Sequence, residues 1–323
     1  MPKTPASSCR LFVVLARDGR SAAVFRRGPS RRVAVLRWWL GTDTIELGQW
    51  FKGRIYERRC DLSPDGELLV YFAAKHRGPF ATWTAVSRTP FLTALALWPK
   101  GDAWGGGGLF RSHLSLGLNH PAHQCESAPG TAIPRRFTID RYAPYAGAGE
   151  DNPILHDRMI RDGWRQIDAG TAAPYSSSGP ARWQFEAPEI YERARPTPAT
   201  ERRRHEPLRL RRKLVAIGVT DGPWYRETYT VEDAAGHTLR HFADCDWADW
   251  QSTGDLLVAA AGSLYRLRAA TLQATPADPL GDADRVADLA PLAYSEIAAP
   301  PAALQWPHRA RRPLKGSLVP KPE

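Results

Sequence analysis

Apolar residues along this chain come in short runs, each closed by a polar turn that contains Gly, Pro or Asp. RLFVVLA (10–16), RRVAVLRWWL (31–40), ELLVYFAA (67–74), FLTALALW (91–98) and DLLVAAAG (255–262) are examples. Runs of this length, rich in β-branched and aromatic residues and bounded by turn formers, predict strands. TIELGQWFKGRIYER (44–58), RETYTVED (226–233) and HTLRHF (237–242) predict more of the same. Helical spacing sustained over three turns is not found. DADRVADLAPLAYSEIAA (282–299) comes nearest, and Pro291 interrupts it. The pattern therefore predicts an all-β chain.

One motif recurs within this pattern. CDLSPDGELLVYFAAK (60–75) places Pro and Asp in a turn that ends in Gly66 and opens an apolar strand. CDWADWQSTGDLLVAAAGSLYRL (245–267) repeats the Cys-Asp start, a polar turn ending in Gly254, an acid and LLV. In ALWPKGDAWGGGGLF (96–110), residues 99–102 align with 64–67, so the stretch predicts a third turn, with the four glycines as one strand beside Trp104. Weaker copies lie at ARDG (Gly19), IRDGW (Gly163) and VTDGPW (Gly222). The intervals between these glycines, from 32 to 62 residues, bracket the ~40–50 residues of a four-stranded propeller blade. Residues 1–306 then form a single β-propeller or propeller-like array of antiparallel blades, roughly 5 to 7 in number and irregular. Two loop-like segments, 119–135 and 168–208, interrupt it, and 307–323 is a basic, proline-rich tail expected to be disordered or draped on the surface.

The 63–72 stretch resembles the repeat of WD-like, TolB-type β-propellers, in which a Ser-Pro-Asp-Gly turn joins the first two strands of a blade. Residues 250–261 and 98–110 resemble it less closely. The resemblance implies a blade fold. It implies no activity, because propellers carry many unrelated functions and no hydrolase domain accompanies the repeats here.

Charge and cysteine usage narrow the classes of function. The net charge of +10 comes almost wholly from Arg, with Lys supplying seven of the 44 basic residues. A basic chain attracts polyanions, yet the Arg-rich run ERRRHEPLRLRRK (201–213) lacks interleaved aromatics for base stacking, so nucleic acid is not the favoured partner. The run reads first as a solvated excursion between strands. Cys9, Cys60, Cys125 and Cys245 form no CxxC pair or tight framework, which suits free thiols in a reducing compartment. The only apolar run near residue 1, LFVVLA, comes after Cys9 and merges into a strand pattern, so no signal peptide is expected. No stretch approaches the ~20 apolar residues of a membrane span. The expected location is cytoplasmic.

Candidate chemistry is sparse. The glycine run 105–108 is succeeded by LFRSHL, without the Lys-Ser/Thr and helix that a phosphate loop requires. His113, His120, His123 and Cys125 fall within thirteen residues and offer imidazole and thiolate ligands for zinc, but no second ligand pair completes a recognised site. Asp61, Asp246 and Asp249 lie in the two best repeat copies. On innermost strands they would face a central channel, where paired carboxylates bind a divalent cation or polarise water. The plainer expectation is that they hydrogen-bond turn amides and neighbouring Arg. The serines 176–178 have no GxSxG context and no discernible base. Trp104, Trp224, Arg202, Arg203, Arg204, Arg211 and Arg212 are the candidate interface residues, since Trp and Arg most often anchor protein contacts. The expected function is a non-catalytic scaffold with a protein partner and no cofactor. The alternatives are a ligand- or metal-binding or enzymatic propeller that uses the acidic channel residues, and polyanion binding through 201–213.

Overall fold

The computed structural model describes residues 9–28, 31–196, 207–220 and 223–307, and the backbone of 317–319. The chain is all-β, as its pattern predicts, and its contacts divide it into two compact units.

Unit 1 (residues 1–158 and 289–323) opens with β1 (Arg10–Leu15), β2 (Ser21–Arg27), β3 (Arg32–Trp39) and β4 (Thr44–Lys52), paired antiparallel in chain order. A second sheet holds β5 (Arg54–Ile55), β6 (Asp61–Leu62), β7 (Leu68–Ala74), β8 (Thr82–Arg88) and β9 (Ala94–Pro99), with β5 and β6 both pairing with β7. A third comprises β10 (Gly108–Ser112), β11 (Ser115–Leu118) and β12 (Thr138–Arg141), whose β11–β12 pair is parallel. β7 shows why its sequence is apolar without alternation. Leu69, Tyr71 and Ala73 pack with Val14, Phe25 and Val35 of the first sheet, while Leu68 and Val70 pack with Trp98, Phe110 and Leu116 on the opposite face. A strand covered on both faces buries every side chain.

The 60–75 motif folds as its sequence predicts. Asp61 pairs with Val70 and Leu62 with Leu69 across a turn in which Gly66 N donates to Ser63 O at 2.8 Å. Gly66 has φ +71°, a conformation only glycine adopts at little cost. The ARDG hairpin between β1 and β2 lies against this turn, with Asp18 N donating to Pro64 O at 2.9 Å. Residues 99–102 correct the third copy. β9 pairs with β8, β10 pairs with β11, and the intervening stretch joins two sheets instead of closing a hairpin.

α1 (Ile154–Arg161) is a two-turn helix, absent from the strand-only pattern, and the boundary between the units falls within it. Gly163 terminates it: Trp164 N donates to Met159 O at 2.9 Å and Gly163 N to Ile160 O at 3.1 Å, a Schellman pair with the glycine at φ +94°. This glycine is therefore a helix cap and not a blade turn. Gly222 lies outside the described residues.

Unit 2 (Met159–Asp288) contains β13 (Arg165–Asp168), β14 (Thr171–Ala172), β15 (Ala181–Ala194), β16 (Arg209–Val219), β17 (Tyr225–Glu232) and β18 (Thr238–Phe242) in one antiparallel sheet. The loop expected over 168–208 is thus corrected by fourteen residues of strand. A four-stranded meander comes next: β19 (Trp247–Trp250), β20 (Leu256–Ala260), β21 (Ser263–Leu267) and β22 (Asp284–Asp288). Its first turn repeats the geometry of 63–66, since Gly254 N donates to Gln251 O at 2.9 Å with φ +88°. The segment 282–299 supplies β22 and then irregular chain, and no strand from it pairs with β1. β23 (Ser317–Val319), within unit 1, adds to the outer edge of β4, so the tail contributes a strand. Among the described residues no helix is long and apolar enough to cross a membrane.

Candidate interaction face

The four glycines occupy a crowded site in unit 1. Gly105, Gly106 and Gly107 all have φ between +59° and +84°, so they are not strand residues, and only Gly108 begins β10. A Cβ on Gly107 would sit 1.9 Å from Arg59 O, and one on Gly106 would sit 2.4 Å from the Phe72 ring. Their amides are all taken: Gly105 N by Gly149 O, Gly106 N by Asn119 O and Gly107 N by Thr84 Oγ1, at 2.7–2.8 Å. Nothing is left to cradle a phosphate. The Arg59 guanidinium locks the same segment. It donates to Ala103 O (2.7 Å), Gly105 O (2.5 Å) and Asp151 Oδ1 (2.9 Å), and it lies over the Tyr56 ring at 4.5 Å.

The candidate zinc ligands are not brought together. His120 is buried, its Nε2 2.7 Å from Thr84 Oγ1 and its Nδ1 2.8 Å from Gln124 O. Because Gly107 N already donates to Thr84 Oγ1, the hydroxyl proton points to Nε2, and Nδ1–H donates to Gln124 O. Burial pushes the imidazole down to about 4, against the Gln124 hydrogen bond and with help from Lys100, so His120 is neutral and fully engaged. His113 pairs with Asp65 at 3.0 Å, His123 is exposed, and the Cys125 thiol sits 3.4 Å from Pro121 O with burial raising its pKa. Among the described residues no three His, Cys, Asp or Glu side chains gather in a way that would hold a metal ion.

Two of the acidic candidates, Asp61 and Asp249, are placed as hydrogen-bond acceptors within their own units, and Asp246 is tied by its backbone. Asp61 is wholly buried and accepts from Phe110 N at 2.8 Å. Asp249 accepts from Trp250 N (2.7 Å), Trp164 Nε1 (3.3 Å) and the Arg193 guanidinium. Asp246 donates its backbone N–H to Ala259 O at 2.8 Å.

The basic candidates divide. Arg202, Arg203 and Arg204 lie outside the described residues. The second half of the run is β16, whose alternation RLRRKLVAIGV sends Arg212 to the core, where it pairs with Glu227 and with Glu189 at 3.2 Å. As a buried ion-paired residue, Arg212 is corrected from interface to core. Arg211, on the opposite face, lies 3.2 Å from Glu232 and 3.6 Å from Glu192. Trp104 is 61% exposed, its amide held by Asp102 Oδ1 at 2.8 Å.

An exposed aromatic cluster lies at the far end of β15–β17 in unit 2. Cross-strand pairing puts Trp183, Ile217 and Tyr225 in one row. Tyr175 stands over Trp183 with ring centroids 5.3 Å apart at 67°, and the two remain 57% and 36% exposed. The loop that carries Tyr175 is fixed by Ser176 N to Arg182 O (2.9 Å), Gly179 N to Ser176 Oγ (2.9 Å) and Thr220 N to Pro180 O (3.1 Å). Arg182 lies along Gly218, where a Cβ would come within 2.8 Å of its side chain, and reaches Trp224 with the guanidinium 5.1 Å from the ring centroid. Of the residues here only Trp224 is singled out by the sequence. The available signal for the rest was the pair of aromatics at the two ends of YSSSGPARW, outside any apolar run.

A scan against protein-family models and a search of curated proteins return no match to this chain.

Proposed function

We propose that the chain is a non-catalytic, propeller-like scaffold that binds another protein through the Tyr175–Trp183–Trp224 end of the unit 2 sheet. The exposed, edge-to-face Tyr175–Trp183 pair carries this reading, because two large aromatics held by a hydrogen-bonded loop offer contact area at little entropic cost. Arg182, its guanidinium 5.1 Å from the Trp224 ring centroid, adds a group that can meet a partner carboxylate in bidentate fashion. The blade reading is supported by sequential four-stranded runs in β1–β4 and β19–β22 and by the shared turn geometry at Gly66 and Gly254. Face-to-face packing of three sheets across β7 supports it as well. The resemblance of 63–72 to WD-like, TolB-type repeats fits the same architecture.

The test is affinity capture with quantitative mass spectrometry. Wild type is compared with Tyr175→Ser/Trp183→Ser and with Trp104→Ser, all melting alike. A partner whose recovery falls at least tenfold in the double variant only is the expected result. Recovery that is unchanged in the double variant refutes the assigned face.

A further inference from the structure

The outer edge of β4 is closed by two different parts of the chain. Toward its second half, Gln49 N donates to Pro90 O at 3.2 Å, and Gly48 lies so close that an added Cβ would meet Pro90 O at 1.9 Å. Toward its first half, Ser317, Leu318 and Val319 pair antiparallel with Leu47, Glu46 and Ile45. All three acceptor residues are buried, and Glu46 keeps a carboxylate oxygen, Oε2, buried without a hydrogen bond. The first cap is built into the sheet. The second comes from a distant segment that is only three residues long and is bounded in sequence by Pro313 and Pro320, which cannot extend a ladder. A short, proline-limited strand makes few hydrogen bonds and is readily displaced. An edge so uncovered pairs with any suitable strand offered to it.

We infer that residues 45–47 form a strand-acceptor site that this chain keeps closed with its own segment 317–319. When that segment is withdrawn, the site takes an extended peptide of the same sequence pattern: a small residue and two aliphatics. The site is separate from the aromatic face and does not depend on it.

The probe is a fluorescent peptide of residues 314–321, LKGSLVPK, titrated against the full chain and against the full chain carrying Ser317→Pro and Leu318→Pro, monitored by anisotropy. The variant is expected to bind with a micromolar Kd. Wild type should bind at least tenfold more weakly, because its tethered strand competes at high effective concentration. The same peptide with Pro at the positions of Ser317 and Leu318 should not bind. Amide exchange at 45–47 should rise in the variant and fall again with peptide. A cooperatively folded variant that shows no saturable binding, or equal binding by both chains, overturns the proposal. Should the variant not fold, a protease site placed within 308–316 of the wild-type chain allows cleavage after folding. Exchange of the freed segment for labelled peptide then supports the site, and its departure without peptide uptake overturns it.

Discussion

The segments 63–67 and 99–103 share a Pro, a turn Gly and an acid, and they behave differently. In the first, Ser63 Oγ donates to Asp65 at 2.6 Å and accepts from Leu68 N at 2.9 Å, and the strands on either side pair at once. In the second, Gly101 turns at φ +85° and the Asp102 side chain caps Trp104 N. Buried Lys100 joins Asp102 and Gln124, each at 2.8 Å, and the chain passes into another sheet. The residues just beyond each turn make the difference. ELLVYF brings side chains that fill both faces of a sheet, whereas GGGG brings none and so can pass beneath the Arg59 carbonyl and the Phe72 ring. A turn signal fixes where the chain reverses, and the side chains on its far side decide whether a hairpin grows.

Gly107→Ala should have the largest effect on the glycine arm. The methyl would meet a backbone carbonyl at 1.9 Å with φ at +74°, so neither a rotamer change nor local breathing relieves it. Left-handed strain and overpacking together cost about 4 kcal/mol, read as a lower urea midpoint at constant m-value. A loss below about 1 kcal/mol would mean that the arm is not locked and that the two turns differ less than their surroundings suggest. Arg59→Met comes next. It takes from Asp151 its guanidinium partner at 2.9 Å and removes a donor from the buried Gly105 carbonyl and the part-buried Ala103 carbonyl, and it should cost about 3 kcal/mol in the same assay. Arg59→Lys should recover only part of this, since an ammonium cannot span the three acceptors.

His120 makes the second turn sensitive to pH, because it ties Gln124, and through it the Lys100–Asp102 turn, to Gly107. Its folded pKa of about 4 lies below the ordinary 6.5, so in the window between them the unfolded chain binds the extra proton. Stability from this group is complete above about 6.5 and is lost as pH falls toward 4, by about 3 kcal/mol in all. In His120→Gln the slope of unfolding free energy over that window should be shallower by up to about 1.4 kcal/mol per pH unit. A variant with the wild-type slope would show that His120 takes no part in the acid transition.

The strand class, the 60–75 hairpin and the 251–254 turn were legible in the sequence because each rests on local chemistry: apolar runs, a Ser-Pro-Asp-Gly turn, a glycine at positive φ. α1 was hidden because eight residues are too few for a periodic signal, and because its cap, Gly163, looks like any turn glycine until Trp164 N is seen to reach Met159 O. β15 was hidden behind Pro, Gly and Glu, which mark loops locally and were overridden by pairing with β16. Of the candidate site residues, Trp224 and Trp104 could be nominated by type alone. The fate of Arg212 depended on which side of β16 met Glu227, which the alternation in RLRRKLVAIGV permits without specifying. The edge-to-face contact of Tyr175 with Trp183 is set by a loop register that no spacing rule encodes.

The smallest effect tests the turns themselves. Gly101 has nothing within 4 Å of an added Cβ, so Gly101→Ala carries only the left-handed penalty of about 1 kcal/mol. Gly66→Ala carries the same penalty and must also displace the Ser21 hydroxyl, 2.3 Å from the new methyl and buried between the first two hairpins. Its cost should reach about 2 kcal/mol. Ser21→Ala opens that space, so in its background the Gly66→Ala penalty should drop toward the Gly101 value while Gly101→Ala is unchanged. A double-mutant cycle by chemical denaturation measures this coupling directly. If the two glycines cost the same in both backgrounds, the turn at 63–66 is no more embedded than the one at 99–102, and the distinction between them lies wholly in the strands beyond.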